Sequence, residues 1–114
     1  MRSFYETWFG AFPGHMYTNE LTGFQSYFLT FSSGARLEIM KSPATGDPLG
    51  QPGPATAGYA HLAFSLGSEE RVDALTRQLH DAGHPVIDGP RRTGDGYYES
   101  VVLDPDGNRV EITV

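Results

Sequence analysis

Apolar and polar residues alternate in the segment YAHLAFSL, residues 59–66. The strand that this pattern predicts carries Leu62, Phe64 and Leu66 on one face and His61 on the other. We expect the leucine-bearing face to pack under the helix that follows. His61 is therefore predicted to point away from that helix.

The next segment, SEERVDALTRQLHDAG, has the 3.6-residue apolar period of an amphipathic helix. Ser68 is a residue type that caps helix N-termini, and Gly83 suits the position after the last turn. Both ends of the helix are thus predicted from residue types alone. The apolar stripe of this helix consists of Val72, Leu75, Leu79 and Ala82.

Three further strands are predicted after this helix, around PVID, YYESVVL and RVEITV, and the turn DPDG joins the last two. The first 41 residues show the same order without an opening strand. There the helix MRSFYETWF precedes strands near residues 16–18, in SYFLTF and in ARLEIM. The two parts of the chain therefore look like copies of one βαβββ module.

A shift of 73 residues (111 − 38) superposes the glutamate of ARLEIM on that of RVEITV. Without a gap, it also matches Ile39 with Ile112 and superposes glycines on glycines, which indicates a duplication. The partner of His61 would precede Met1, so we expect module one to lack its first strand or to receive it from elsewhere. We predict an α+β fold with curled mixed sheets in one domain. Its parts are module one (1–41), a Pro- and Gly-rich linker (42–57) and module two (58–114).

The composition excludes several classes of function. A net charge of −6 argues against nucleic-acid binding, which needs a basic surface. The chain has no cysteine, no apolar run of membrane-spanning length and no signal-peptide pattern. These features predict a cytoplasmic protein without a membrane role.

Glu38 and Glu111 each interrupt a short apolar strand, where a carboxylate costs free energy unless it is compensated. Alternation places both of them, like His61, on faces turned away from the helices. If the faces converge, a cation between the carboxylates would relieve their repulsion, which predicts a metal site at Glu38, His61 and Glu111. The alternative is that each glutamate pairs with the arginine two residues before it, Arg36 or Arg109.

A second candidate region is PRRTGDGYYES, residues 90–100. Arg91 and Arg92 could bind an anionic group of a substrate, and Tyr98, with Tyr97 and Glu99, could form a pocket wall. The alternative is an exposed, positively charged edge strand without a role in binding.

The duplicated module, GYAHLAFSL and above all VLDPDGNRVEI resemble the vicinal oxygen chelate superfamily, which includes glyoxalase I, fosfomycin-resistance enzymes, extradiol dioxygenases and bleomycin-resistance proteins. The resemblance covers nearly the whole chain. It implies metal ligands on the first and last strands of each module, hence Glu38, His61 and Glu111, with no counterpart for a fourth ligand. It also implies one divalent ion: Ni, Co, Zn, Mn or Fe.

Two carboxylates from two modules favour the glyoxalase-like branch, because the dioxygenase set leaves Glu38 unnecessary. The resemblance then implies a metal-dependent lyase or isomerase that acts on a small oxygenated substrate such as a hemithioacetal. Glu111 would be the base, with Glu38 opposite it, and the chain would form a homodimer. Two alternatives stay open: a non-catalytic ligand-binding protein of bleomycin-resistance type and an extradiol-type dioxygenase.

Overall fold

A computed structural model describes residues 1–41 and 59–114 of the chain. The predicted linker, residues 42–57, lies outside the described residues. The chain divides into two compact units, Met1–Pro48 (unit 1) and Leu49–Val114 (unit 2). Neither helix of the described residues has the length and apolar character that crossing a membrane requires.

Unit 1 packs one short helix on an antiparallel sheet. The central strand, β3, pairs with each of the other three strands. The helix ends at Gly10, whose φ of 62° suits a residue without a Cβ. The core is small and consists of Phe4, Tyr5, Ala11 and Leu29. The elements are α1 (Arg2–Phe9), β1 (Phe12–Pro13), β2 (Tyr17–Asn19), β3 (Phe24–Thr30) and β4 (Arg36–Lys41).

Unit 2 packs a longer helix on a mixed sheet with the strand order β5-β8-β7-β6. β5 runs parallel to β8, and the other neighbours are antiparallel. The elements are β5 (Leu62–Ser65), α2 (Glu69–Asp81), β6 (Val86–Arg92), β7 (Tyr98–Leu103) and β8 (Arg109–Thr113). Its buried apolar residues are Val72, Leu79, Val102, Leu103, Val110 and Ile112.

The predicted ends of α2 are confirmed. The Ser68 side chain accepts a hydrogen bond from the backbone N–H of Arg71, and Gly83 has a φ of 86°. The predicted stripe is wrong at Ala82, which is exposed because it lies beyond the last helical turn. The helix buries Thr76 instead, whose hydroxyl lies 2.6 Å from that of Ser100 on β7.

The 73-residue shift reproduces the strand register. Phe28 lies opposite Glu38 in unit 1, and Val101, 73 positions later, lies opposite Glu111 in unit 2. The same shift carries β1 and β2 onto the two ends of β6, which is one strand with register shifts. The fold is therefore α+β with duplicated modules, as predicted. Within residues 1–41, β4 has β3 as its partner and no counterpart of β5.

The predicted first strand of module two is shorter than expected. β5 covers four residues, and His61 precedes it. Leu62, expected under the helix, is 42% exposed because it lies at the end of an edge strand. Phe64 and Leu66 are partly buried.

Candidate functional site

His61 and Glu111 meet on the face of the unit 2 sheet that is turned away from α2. The parallel register places Ala63 beside Glu111, and His61 lies two residues before Ala63 on the same face. The Nε2 atom of His61 is 3.1 Å from Oε2 of Glu111. Their side chains are 40% and 16% exposed, respectively. The pair is thus within hydrogen-bond distance and reachable from solvent.

This geometry suits two ligands of one divalent ion. Nitrogen and oxygen ligands about 2.1 Å from a metal, at right angles to each other, lie about 3.0 Å apart. Imidazole nitrogen with carboxylate oxygen is a donor pair that first-row transition metals accept. Across residues 1–41 and 59–114, no three side chains of His, Asp or Glu form a metal-binding group. The pair therefore supplies two donors and needs at least one more.

Glu99, on the neighbouring strand β7, is the carboxylate that the strand pairing places nearest to Glu111. It lies opposite Thr113, diagonal to Glu111, on the same face of the sheet. Burial raises the pKa of Glu99, and the negative charge of Glu111 raises it further. The sequence predicted Glu99 only as part of a pocket wall. Alternation fixes its face, but its place beside Glu111 depends on the β7–β8 register, which the residue pattern does not reveal.

Arg91 shares this face, because it pairs with Glu99 across the β6–β7 ladder. Its guanidinium binds Asp88 through two hydrogen bonds and lies 3.9 Å from Oε1 of Glu99. The hydrogen bond from Arg91 lowers the pKa of Asp88. Arg91 is therefore a cation on the same sheet face as Glu111, already engaged by a carboxylate.

Tyr98 and Arg92, the other two predicted substrate-binding residues, lie on the opposite face with α2. The Tyr98 hydroxyl donates a 2.7 Å hydrogen bond to Asp73, which raises the pKa of Tyr98. Arg92 forms an ion pair with Glu69. A groove with a volume of about 450 Å³ separates α2 from β6 on this face, and Tyr98 lines it. A role for these two side chains in substrate binding stays a prediction, and their contacts separate them from the Glu111 face.

Glu38 in unit 1 is exposed on β4, opposite Phe28 of β3. Within residues 1–41, Arg36 does not form the alternative ion pair with Glu38. The guanidinium carbon of Arg36 lies over the Phe28 ring instead, 4.4 Å from its centre. Glu38 shares its face with Arg36 and the exposed Met40. It is therefore a carboxylate on an otherwise apolar and cationic surface.

The chain has relatives of known structure and one matching curated sequence. A glyoxalase family protein from Enterococcus faecalis is 24% identical, with a TM-score of 0.76 over 99% of this chain and 85% of that one. The fosfomycin resistance protein FosX from Listeria monocytogenes, solved with Mn(II) and a sulfate ion, is 20% identical, with a TM-score of 0.72 over 99% and 77%. An uncharacterized Bacillus subtilis protein, YqjT, is 38% identical over 58 residues, 48% of this chain and 45% of YqjT.

These structural likenesses show the fold, and the match to YqjT spans less than half of that protein. The family profile matches much more, from residue 1 to residue 112. Its match includes Glu38, Glu111 and the DPDG turn. The chain belongs to the Glyoxalase/Bleomycin resistance protein/Dioxygenase superfamily.

Proposed function

We propose that the protein is a metal-dependent lyase or isomerase of glyoxalase type, acting on a small oxygenated substrate such as a hemithioacetal. The observation that carries the proposal is the 3.1 Å approach of His61 Nε2 to Glu111 Oε2 on the sheet face away from α2. Duplication adds Glu38 as the equivalent carboxylate of unit 1. We therefore propose that His61, Glu111 and Glu38 are the ligands of one divalent ion.

A divalent ion held by these side chains would act as a Lewis acid on the carbonyl oxygen beside the reacting C–H bond. Glu111 is the proposed base, with one oxygen next to His61 and the other able to take the proton. The C–H proton leaves the carbon that bears the hydroxyl and sulfur and returns to the neighbouring carbonyl carbon, while the hydroxyl proton moves to the former carbonyl oxygen. The product is a 2-hydroxy thioester, so the reaction needs no oxidant.

The first experiment measures the metal content of the untagged protein by mass spectrometry, beside Glu38→Gln and Glu111→Gln. We expect about one metal ion per site in the wild type and loss in both variants, because glutamine removes the anionic ligand. Glu20→Gln, at an exposed turn residue, is the matched control and keeps the metal. Wild-type protein that binds none of Ni, Co, Zn, Mn or Fe after reconstitution contradicts the proposal.

Turnover measures the combined loss of the metal ligand and the base. With the hemithioacetal of methylglyoxal and a small thiol, Glu111→Gln should lower kcat by roughly a hundredfold or more, since the loss of a general base alone has an effect of this size. Circular dichroism checks that the variant is folded. A folded, metal-loaded Glu111→Gln enzyme with unchanged kcat would assign the proton transfer to another residue.

A second candidate function is ligand binding without catalysis, as in bleomycin-resistance proteins. The contact by itself also fits this function, because His61 and Glu111 can satisfy each other by a hydrogen bond without a metal ion. In that case ligand affinity does not depend on metal and is unchanged in Glu38→Gln. The metal-content experiment separates the two functions.

We also propose that the protein is a cytoplasmic homodimer. The dimer is supported by the exposure of large apolar side chains in unit 1, among them Phe12 at 69% and Met40 at 60%, since exposed apolar patches mark interaction surfaces. Sedimentation of the full chain tests this, and a monomer at high concentration contradicts it.

A further inference from the structure

We propose that Arg36, held over the Phe28 ring, binds an anionic group of the substrate beside Glu38, so that the preferred substrates carry a carboxylate or a similar group with two acceptor oxygens. The inference rests on the proposed function, because it assumes that Glu38 belongs to the reacting site. It extends that function by naming a class of substrate and a residue that selects it.

The first support is the way the guanidinium is held. Its carbon lies 4.4 Å from the centre of the Phe28 ring, a cation–π distance. Contact over the ring leaves the N–H donors at the edge of the guanidinium available. Within residues 1–41 the Arg36 side chain makes no hydrogen bond or ion pair. A planar fork of free donors is the arrangement that binds carboxylate through two hydrogen bonds.

The second support is a comparison with other arginines. Arg2 also lies over a ring, that of Tyr27, but its donors bind Glu6. Arg91 and Arg92 likewise bind carboxylates of unit 2. Arg36 combines an oriented guanidinium with donors that no carboxylate within residues 1–41 occupies. Since the chain has a net charge of −6, an anionic substrate needs such a local cation.

The third support is the distance to Glu38. Arg36 and Glu38 are two residues apart on β4 and share one face. Their Cα atoms are therefore about 7 Å apart along the strand. A hemithioacetal of mercaptoacetate has its carboxylate separated from the reacting carbon by one methylene and one sulfur. Such a molecule can reach both side chains.

The test compares two hemithioacetals of methylglyoxal, one formed with mercaptoacetate and one with the neutral 2-mercaptoethanol. We expect wild-type protein to prefer the mercaptoacetate adduct roughly tenfold in kcat/KM, as for one charge-assisted contact at an exposed site. Arg36→Gln should lose this preference. Its kcat/KM should fall for the mercaptoacetate adduct and stay unchanged for the neutral adduct. Arg36→Lys, which keeps the charge but not the fork, should keep part of it. Phe28→Leu, which releases the guanidinium, should also keep only part.

Arg2→Gln is the matched control, since Arg2 also lies over a ring of unit 1 but on the sheet face that carries α1, and it should keep the full preference. Equal kcat/KM for both substrates in the wild type overturns the inference while leaving the proposed function intact. If neither substrate reacts, binding of inorganic phosphate is followed by NMR. Shifts that Arg36→Gln abolishes and Arg2→Gln retains then support the anion site without the reaction. Shifts that do not depend on Arg36 overturn it.

Discussion

Glu38 and Glu111 occupy equivalent positions in the two units, but their surroundings differ. Glu111 lies between β5 and β7, is 16% exposed and contacts His61. Glu38 has β3 on one side, and within residues 1–41 no strand lies on the other. The residue opposite the carboxylate also changes, from Val101 in unit 2 to the larger Phe28 in unit 1.

The helix-facing residues show the same contrast. Ile112 is completely buried, whereas Ile39, its equivalent 73 positions earlier, is only partly buried. The two strands have nearly the same sequence, RLEI and RVEI. Burial is therefore decided by what packs around the strand, namely β5 and the longer α2 in unit 2. Strands of similar sequence can therefore contribute unequally to stability.

Truncation of the two isoleucines should therefore have very different costs. Ile112→Ala should lower the free energy of unfolding by about 3 kcal/mol, because it leaves a cavity in a fully buried site. Ile39→Ala should cost only about 1 kcal/mol, since solvent already reaches part of that side chain. Urea unfolding followed by circular dichroism measures both losses. Ile112→Val, which keeps a branched apolar side chain in the same buried site, is the control. It should lower the free energy of unfolding by about 1 kcal/mol. Equal losses for the two alanine variants would show that Ile39 is covered as well as Ile112.

The duplication and the elements of unit 2 were predictable because they depend on local pattern. Alternation gave the faces of His61 and Glu111, and residue types gave both ends of α2. The place of Glu99 beside Glu111 required the β7–β8 register, which no pattern in YYESVVL records. The separation of Arg91 from Arg92 and Tyr98 is a consequence of alternation along β6 and β7. That Tyr98 shares the face of Arg92 and not of Arg91 becomes visible only when the pairing of the two strands is known.

The helices offer the second comparison. α2 begins with the Ser68 cap, whereas α1 begins after Met1, which provides no side-chain hydrogen bond. Ser68→Ala should lower the free energy of unfolding by about 1 kcal/mol, since the backbone N–H of Arg71 loses its acceptor. Thermal unfolding monitored at the helix signal measures this loss. Ser68→Asp, which also accepts the hydrogen bond, should restore most of it.

Ser32→Ala, in the exposed turn before β4, is the control for replacement of a serine and should leave stability unchanged. A loss in Ser68→Ala no larger than in Ser32→Ala would mean that the 3.4 Å hydrogen bond to Ser68 contributes nothing to the helix start.

The smallest expected effect concerns Glu99, whose equivalent in unit 1 is the uncharged Ser26. Burial and the Glu111 carboxylate raise the pKa of Glu99 above its ordinary value of 4.5. The folded state therefore binds this proton more tightly than the unfolded state does. The resulting loss of stability is absent below pH 4.5, grows as pH rises through the folded pKa, and is complete above it.

Glu99→Gln cannot ionise and removes this pH-dependent loss. At pH 7 the metal-free variant should be slightly more stable than the wild type, because the uncharged amide escapes both burial of a charge and repulsion from Glu111. The difference should disappear as pH falls below 4.5, where Glu99 is protonated in both states. Urea unfolding at several pH values, with a chelator present, measures the trend, and Glu20→Gln controls for the loss of one surface charge. A variant that is less stable than the wild type at pH 7 would show that the Arg91–Glu99 attraction outweighs burial and the repulsion from Glu111.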